Sequence, residues 1–210
     1  MTVNLGPGEI FTIFFITLGP LKILGPFAQR TQGLADAMVR QIAVRAFLMA
    51  TISAIAGGFL GAALLANWYI SIGAMVIAGG LVFLLVGLRQ LLEQYEPPHA
   101  PDPRPPALPA SPTAAALTLL FPIVLTPFGI AAVIVLLALS TEGARTETIV
   151  GMLVVVMLLN LVAMLFARRI LVGATIVILQ ILGAVLGILQ AGLAVQIIVR
   201  GLRDLKIISE

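Results

Sequence analysis

Residues 46–88 read AFLMATISAIAGGFLGAALLANWYISIGAMVIAGGLVFLLVGL, with no Asp, Glu, Lys or Arg anywhere in the run. A membrane-crossing helix takes about 20 predominantly apolar residues at 1.5 Å rise each, so this stretch is about twice as long as one span. Near its middle stands Asn67-Trp68-Tyr69. A polar amide beside two aromatics that favour the membrane–water boundary marks a tight turn at the surface. The stretch is read as two membrane helices joined by that turn.

Outward from this pair the pattern repeats. Residues 10–29 form another apolar run with Lys22 as its single charge, and residues 113–141, 148–167 and 170–199 are uncharged runs. The total is six transmembrane helices. Composition agrees: the chain is 60% hydrophobic and 10% charged, with a mean hydropathy of +1.16. A soluble domain is about 45–50% apolar and about 25% charged. A 210-residue chain has too high a surface-to-volume ratio to hide the excess from water, so the excess faces lipid.

The net charge of +3 does not point to nucleic acid. Most of the Lys and Arg residues lie at the ends of apolar runs, where phospholipid headgroups attract them. Cysteine is absent, which removes disulfides and thiolate metal sites. The N-terminus has no basic segment ahead of its apolar run, so that run is expected to remain as a helix rather than to be cleaved.

Between the third and fourth helices, residues 96–112 read EPPHAPDPRPPALPASP and hold eight of the thirteen prolines. Such a segment is neither helix nor sheet interior; it is an extended linker. It divides the chain into residues 1–95 and 113–210, and the two parts correspond. Leu18-Gly19-Pro20-Leu21 in the first helix matches Leu125-Thr126-Pro127-Phe128 in the fourth. Ile77-Ala-Gly-Gly80 in the third matches Ile181-Leu-Gly-Ala184 in the sixth. Three helices per half place the second half upside down relative to the first, the inverted-repeat plan of many secondary transporters. The expected fold is an all-α membrane protein of six helices in two inverted three-helix repeats, with helices 1 and 4 broken at proline.

Seven basic residues (Arg30, Arg40, Arg45, Arg89, Arg104, Arg168 and Arg169) fall on one side of that topology, and Arg145, Arg200, Arg203 and Lys206 on the other. The expected location is the cell (inner) membrane, and the positive-inside rule orients the chain there with both termini outside.

Proline inside a membrane helix removes a hydrogen bond and clashes with the preceding turn, and the freed groups must find protein, water or ligand. Gly19-Pro20 and Thr126-Pro127-Phe128-Gly129 are therefore the candidate substrate-binding breaks. Each proline suits the first position of a new half-helix. In inverted halves the two helix N-termini converge near mid-membrane, a setting that favours a carboxylate. Lys22 lies just past the first break, where it either pairs with an anionic group or reaches its ammonium to the headgroups. Asn160 is the polar residue of the fifth helix with the best claim to touch substrate; Gln180, Gln190 and Gln196 are read as interhelical hydrogen-bonding groups. Plain proline kinks that shape packing are the competing reading. No nucleophile–base pair, phosphate loop or metal-ligand spacing occurs, and the one histidine, His99, sits in the linker. No enzyme activity, metal or cofactor is expected.

These residues carry a family resemblance. FITLGPLKILGPF at 15–27 followed by TQGL at 31–34, IAGGL at 77–81 with VGLR at 86–89, residues 122–133, and AVQII at 194–198 together resemble the MarC family, also called the small neutral amino acid transporter family, within the LysE-like group. The resemblance implies a six-helix transporter with inverted repeats. Gly19 stands where that family usually has Asn, Lys22 where it usually has Gly, and Thr126 and Phe128 replace the glycines flanking Pro127; Phe128 would narrow the implied cavity and Lys22 would charge it. The expected function is secondary transport or export of a small zwitterionic or anionic metabolite, neutral amino acids first. A non-transporting membrane assembly protein and a lipid-headgroup carrier are the alternatives. Expected partners are the lipid bilayer and a small-molecule substrate, with a homo-oligomer as an option and no nucleic acid.

Overall fold

A computed structural model describes residues 6–92, 108–140, 143–171 and 174–208; linker residues 96–107, with His99, lie outside the described residues. Among the described residues every regular element is helical: α1 (Pro7–Leu18), α2 (Pro20–Arg30), α3 (Asp36–Asn67), α4 (Ile72–Leu92), α5 (Pro112–Leu119) running into a π-helical turn (Leu120–Val124), α6 (Pro127–Ala138), α7 (Gly143–Ile170) and α8 (Ala174–Asp204). Among the described residues three spans are long and apolar enough to cross a membrane: α1 with α2, α3, and α7. The pair α5–α6 makes a fourth if taken as one broken span.

The turn at Asn67-Trp68-Tyr69 is where the sequence puts it. Trp68 N–H donates to Leu64 O as α3 closes, and Tyr69 takes a positive φ of 54° before α4 begins. Helices outlast the uncharged runs at their ends: α3 begins at Asp36 and α8 continues through Arg200 and Arg203. A charged residue at a membrane surface stops the apolar run but not the backbone hydrogen bonding.

α3 shows why the chain packs as a bundle. Ala43, Ala46, Ala50, Ala54 and Gly58 are all buried, at the three- and four-residue spacing of one helix face. Small residues let neighbouring backbones approach closely where lipid supplies no hydrophobic drive for helix association. At Gly58 a Cβ would meet Val133 Cγ1 of α6 at 2.4 Å, and at Gly61 it would meet Ile134 Cδ1 at 2.5 Å. The other face of α3 exposes Leu48, Ile52, Phe59 and Leu60, as Val155, Leu158, Val162 and Phe166 are exposed on α7. That apolar exterior suits lipid. The core between α1, α2, α3 and α5–α7 is filled by Phe14, Phe27, Ile42, Leu119, Met157 and Met164.

α4 and α8 form an antiparallel pair. Gly73 faces Gly201 and Leu205, Gly80 faces Ala194 and Ile198, and Gly87 faces Gln190 and Ala191. Small residues seven apart return to nearly the same helix face, so α4 presents one glycine seam to α8 along its length.

Near the Arg30 end of the bundle, Arg168 ties α7 to the turn before α3. Its Nη1 meets Asp36 Oδ1 at 2.8 Å, and its Nη2 donates to Thr31 O and Leu34 O. Arg45 donates to Thr113 Oγ1 on the same side.

Candidate functional site

Both breaks are built alike. The residue before proline is disfavoured in the helical region and driven to extended backbone. Gly19 accordingly has φ −69° and ψ 165°, Thr126 has φ −81° and ψ 150°, and Pro20 and Pro127 each open a new helix. The consequences differ. α1 and α2 continue as one 24-residue span across Gly19, whereas α5 with its π-helical turn meets α6 at a 70° bend. Gly19 tolerates no side chain in this geometry: a Cβ would sit 1.8 Å from Phe15 O.

The two breaks touch. Thr126 Oγ1 accepts from Gly129 N–H at 3.1 Å, capping α6, and donates to Thr17 O of α1 at 3.0 Å. Asn160 Nδ2 donates to the next carbonyl, Leu18 O, at 2.6 Å. A Cβ on Gly129 would lie 1.9 Å from Leu18 Cδ2, so its absence admits the end of α1. Thus Gly19, Pro20, Thr126, Pro127, Phe128, Gly129 and Asn160 gather at one place. Two carbonyls that a broken helix leaves open are taken by the protein's own side chains. Asn160 Oδ1 is buried with no partner among the described residues.

Lys22 points inward, to α8. Its Nζ donates to Gln190 Oε1 at 2.9 Å, and Gln190 Nε2 donates to Phe83 O of α4 at 3.2 Å. Gln190 is buried. Among the described residues no carboxylate lies within ion-pair distance of Lys22.

A cavity of about 470 Å³ opens between α1, α4, α6 and α8. Its inner end is Thr17, Phe83, Phe128 and Leu193; its outer end is Gly8, Glu9, Leu139, Arg200 and Asp204. The rings of Phe83 and Phe128 meet tilted at 51° with centroids 6.3 Å apart, packed with Ile16 and Ala194. Lys22 and Gln190 are not among the lining residues; Gln190 lies about one turn of α8 beyond Leu193. The phenylalanine pair thus stands between the cavity and the lysine.

Sequence reasoning gave no site role to Phe83, Thr17, Glu9, Arg200 or Asp204; Gln190, read as an interhelical hydrogen-bonding group, makes such bonds to Lys22 and Phe83 O. Aromatics at helical spacing and charges at helix ends are commonplace in membrane proteins, so none carried a separate signal. Gln180 cannot be placed, because its side chain lies outside the described residues.

No curated protein and no solved structure matches the chain. The family model for MarC family integral membrane proteins matches residues 8–206. A chain of apolar helices whose sequence matches that model over nearly its whole length belongs to the MarC family of integral membrane proteins.

Proposed function

We propose that the protein is a secondary transporter or exporter of a small zwitterionic or anionic metabolite, with neutral amino acids first, and that it has no enzymatic activity. In this reading the fold is six spans in two inverted three-helix repeats, α1–α4 and α5–α8, each opening on a broken helix. The observation that carries it is the contact between the two breaks, next to a cavity whose inner end is lined by the adjoining Thr17 and Phe128. The antiparallel run of α4 against α8, the last helices of the two halves, agrees with inversion. A cavity of about 470 Å³ falls within the size range of small-molecule sites. Transport then consists of movement of the α4–α8 pair against the bundle, parting Phe83 from Phe128 and exposing Lys22 to the ligand carboxylate. The orphaned Asn160 Oδ1 supplies an acceptor for the ligand ammonium, since a buried unpaired acceptor costs about 1–3 kcal/mol until it is satisfied. Equilibrium binding of radiolabelled neutral amino acids to the purified protein tests this; no binding of any of them defeats it.

The satisfied carbonyls Thr17 O and Leu18 O favour a second reading, in which the breaks are structural and the protein is a non-transporting assembly subunit. Lys22→Met separates the two. In the transporter reading it weakens an acidic or zwitterionic ligand by about 1.5–3 kcal/mol, the scale of a hydrogen bond to a charged group, read as a reduced ligand-dependent thermal shift. In the structural reading the shift is unaffected or absent from the start.

The proposed orientation is multi-pass in the cell membrane with both termini outside. A phosphatase fused after residue 208 is then active and one fused within residues 97–112 inactive; the reverse pattern inverts the topology.

A further inference from the structure

We infer that the cavity between α1, α4, α6 and α8 takes an amino acid with a large apolar side chain, such as leucine or phenylalanine, in preference to glycine or alanine. The inference rests on the transporter reading and specifies its substrate. Charge in the cavity wall is confined to the outer end, where Glu9 on α1 and Arg200 and Asp204 on α8 stand. Among the described residues Arg200 and Asp204 form no ion pair, with each other or with a third group, and a guanidinium and a carboxylate face the entrance together. That pairing of opposite charges matches the carboxylate and ammonium of a zwitterion on entry, before Phe83 and Phe128 part and Lys22 and Asn160 take the two groups over. Inward from the rim the wall is mostly aliphatic and aromatic, with Thr12, Thr17 and Gln196 as its polar side chains. From Glu9 to Thr17 on α1, and from Arg200 to Leu193 on α8, the helical rise gives a depth of about 10–12 Å. A glycine held at the rim would leave this depth wetted or empty, whereas a leucine or phenylalanine side chain enters it and loses its hydration there. Gly79 fixes the width: a Cβ at that position meets nothing nearer than Val135 Cγ2 at 4.0 Å, so the absent side chain is open cavity rather than helix contact.

The test is ligand-dependent thermal shift and equilibrium binding on the purified full-length protein, with phenylalanine, leucine, alanine, glycine and a lysophosphatidylethanolamine as probes. The expected result is phenylalanine and leucine binding at least about tenfold tighter than alanine, the effect of burying a large apolar side chain. Gly79→Leu abolishes that binding, Arg200→Gln weakens it, and Gly192→Leu leaves it intact, because Gly192 faces open space. The unliganded melting temperature shows whether Gly79→Leu is folded, and the exposed Arg200→Gln tests the site independently. Glycine and alanine binding as well as leucine, or binding unaffected by both Gly79→Leu and Arg200→Gln, overturns the inference while the transporter reading stands. Binding of the lysolipid alone, or of no probe, overturns both.

Discussion

Gly201→Leu is expected to cost the protein about 3 kcal/mol or more of stability and most of its monodisperse yield in detergent. The residue sits on the seam between α4 and α8, where a Cβ would meet Gly73 O at 2.8 Å and Ile77 Cγ1 at 2.6 Å. A flexible side chain can turn aside, but a backbone carbonyl moves only if the helix does. Overpacking a core typically costs about 1–3 kcal/mol, and displacing a helix along a seam exceeds that. Gly192→Leu, nine residues away on an open face, is expected to melt with the wild type. Equal melting temperatures for the two variants would show that the helices do not meet at Gly201.

The second large effect is expected at the joint between the breaks. Thr126→Val keeps the shape of the side chain but removes the hydroxyl that caps Gly129 N–H and donates to Thr17 O. Asn160→Leu leaves Leu18 O without its donor. Each change leaves buried backbone groups unpaired, at about 1–3 kcal/mol per group, and a lost N-cap by itself costs about 1 kcal/mol. Because the two donors serve consecutive carbonyls of one helix end, their losses are coupled. The double variant is expected to be less destabilised than the sum of the singles, by about 0.5 kcal/mol or more. Strict additivity in thermal or denaturant unfolding would mean that α1 is not held at both carbonyls.

This joint also shows how far the sequence could be read. Proline fixes its own φ and constrains the residue before it, so the breaks at Gly19 and Thr126 follow from local chemistry. Asn67-Trp68-Tyr69 likewise locates a turn by local rules. The roles of the residues around the breaks do not follow from local rules. Thr126 reads as part of a substrate-binding break, and its hydroxyl spans to Thr17, a partner 109 residues away. Asn160 reads as a substrate contact, and nothing local in the sequence shows that its Nδ2 donates to Leu18 O. Gly79-Gly80 reads as part of one repeat match, yet neighbours on a helix point about 100° apart: Gly80 enters the seam against Ala194 and Ile198, while Gly79 opens on the cavity. In a chain with twenty glycines, the seven-residue spacing of Gly73, Gly80 and Gly87 stands out only once α8 is seen beside it. Lys22 illustrates the same limit. Its depth in an apolar run marks it as unusual, but only tertiary structure sends it to Gln190 rather than to the headgroups.

The central claim is that the cavity ending on Phe83 and Phe128 is the path of a small zwitterion. Counterflow of a labelled neutral amino acid in proteoliposomes measures that most directly, comparing the wild type with Gly79→Leu and Gly192→Leu. The account predicts accumulation of label with the wild type and Gly192→Leu, and none with Gly79→Leu although that variant is folded and reconstituted. Accumulation by Gly79→Leu equal to the wild type, or no accumulation by the wild type with any neutral amino acid, would contradict it.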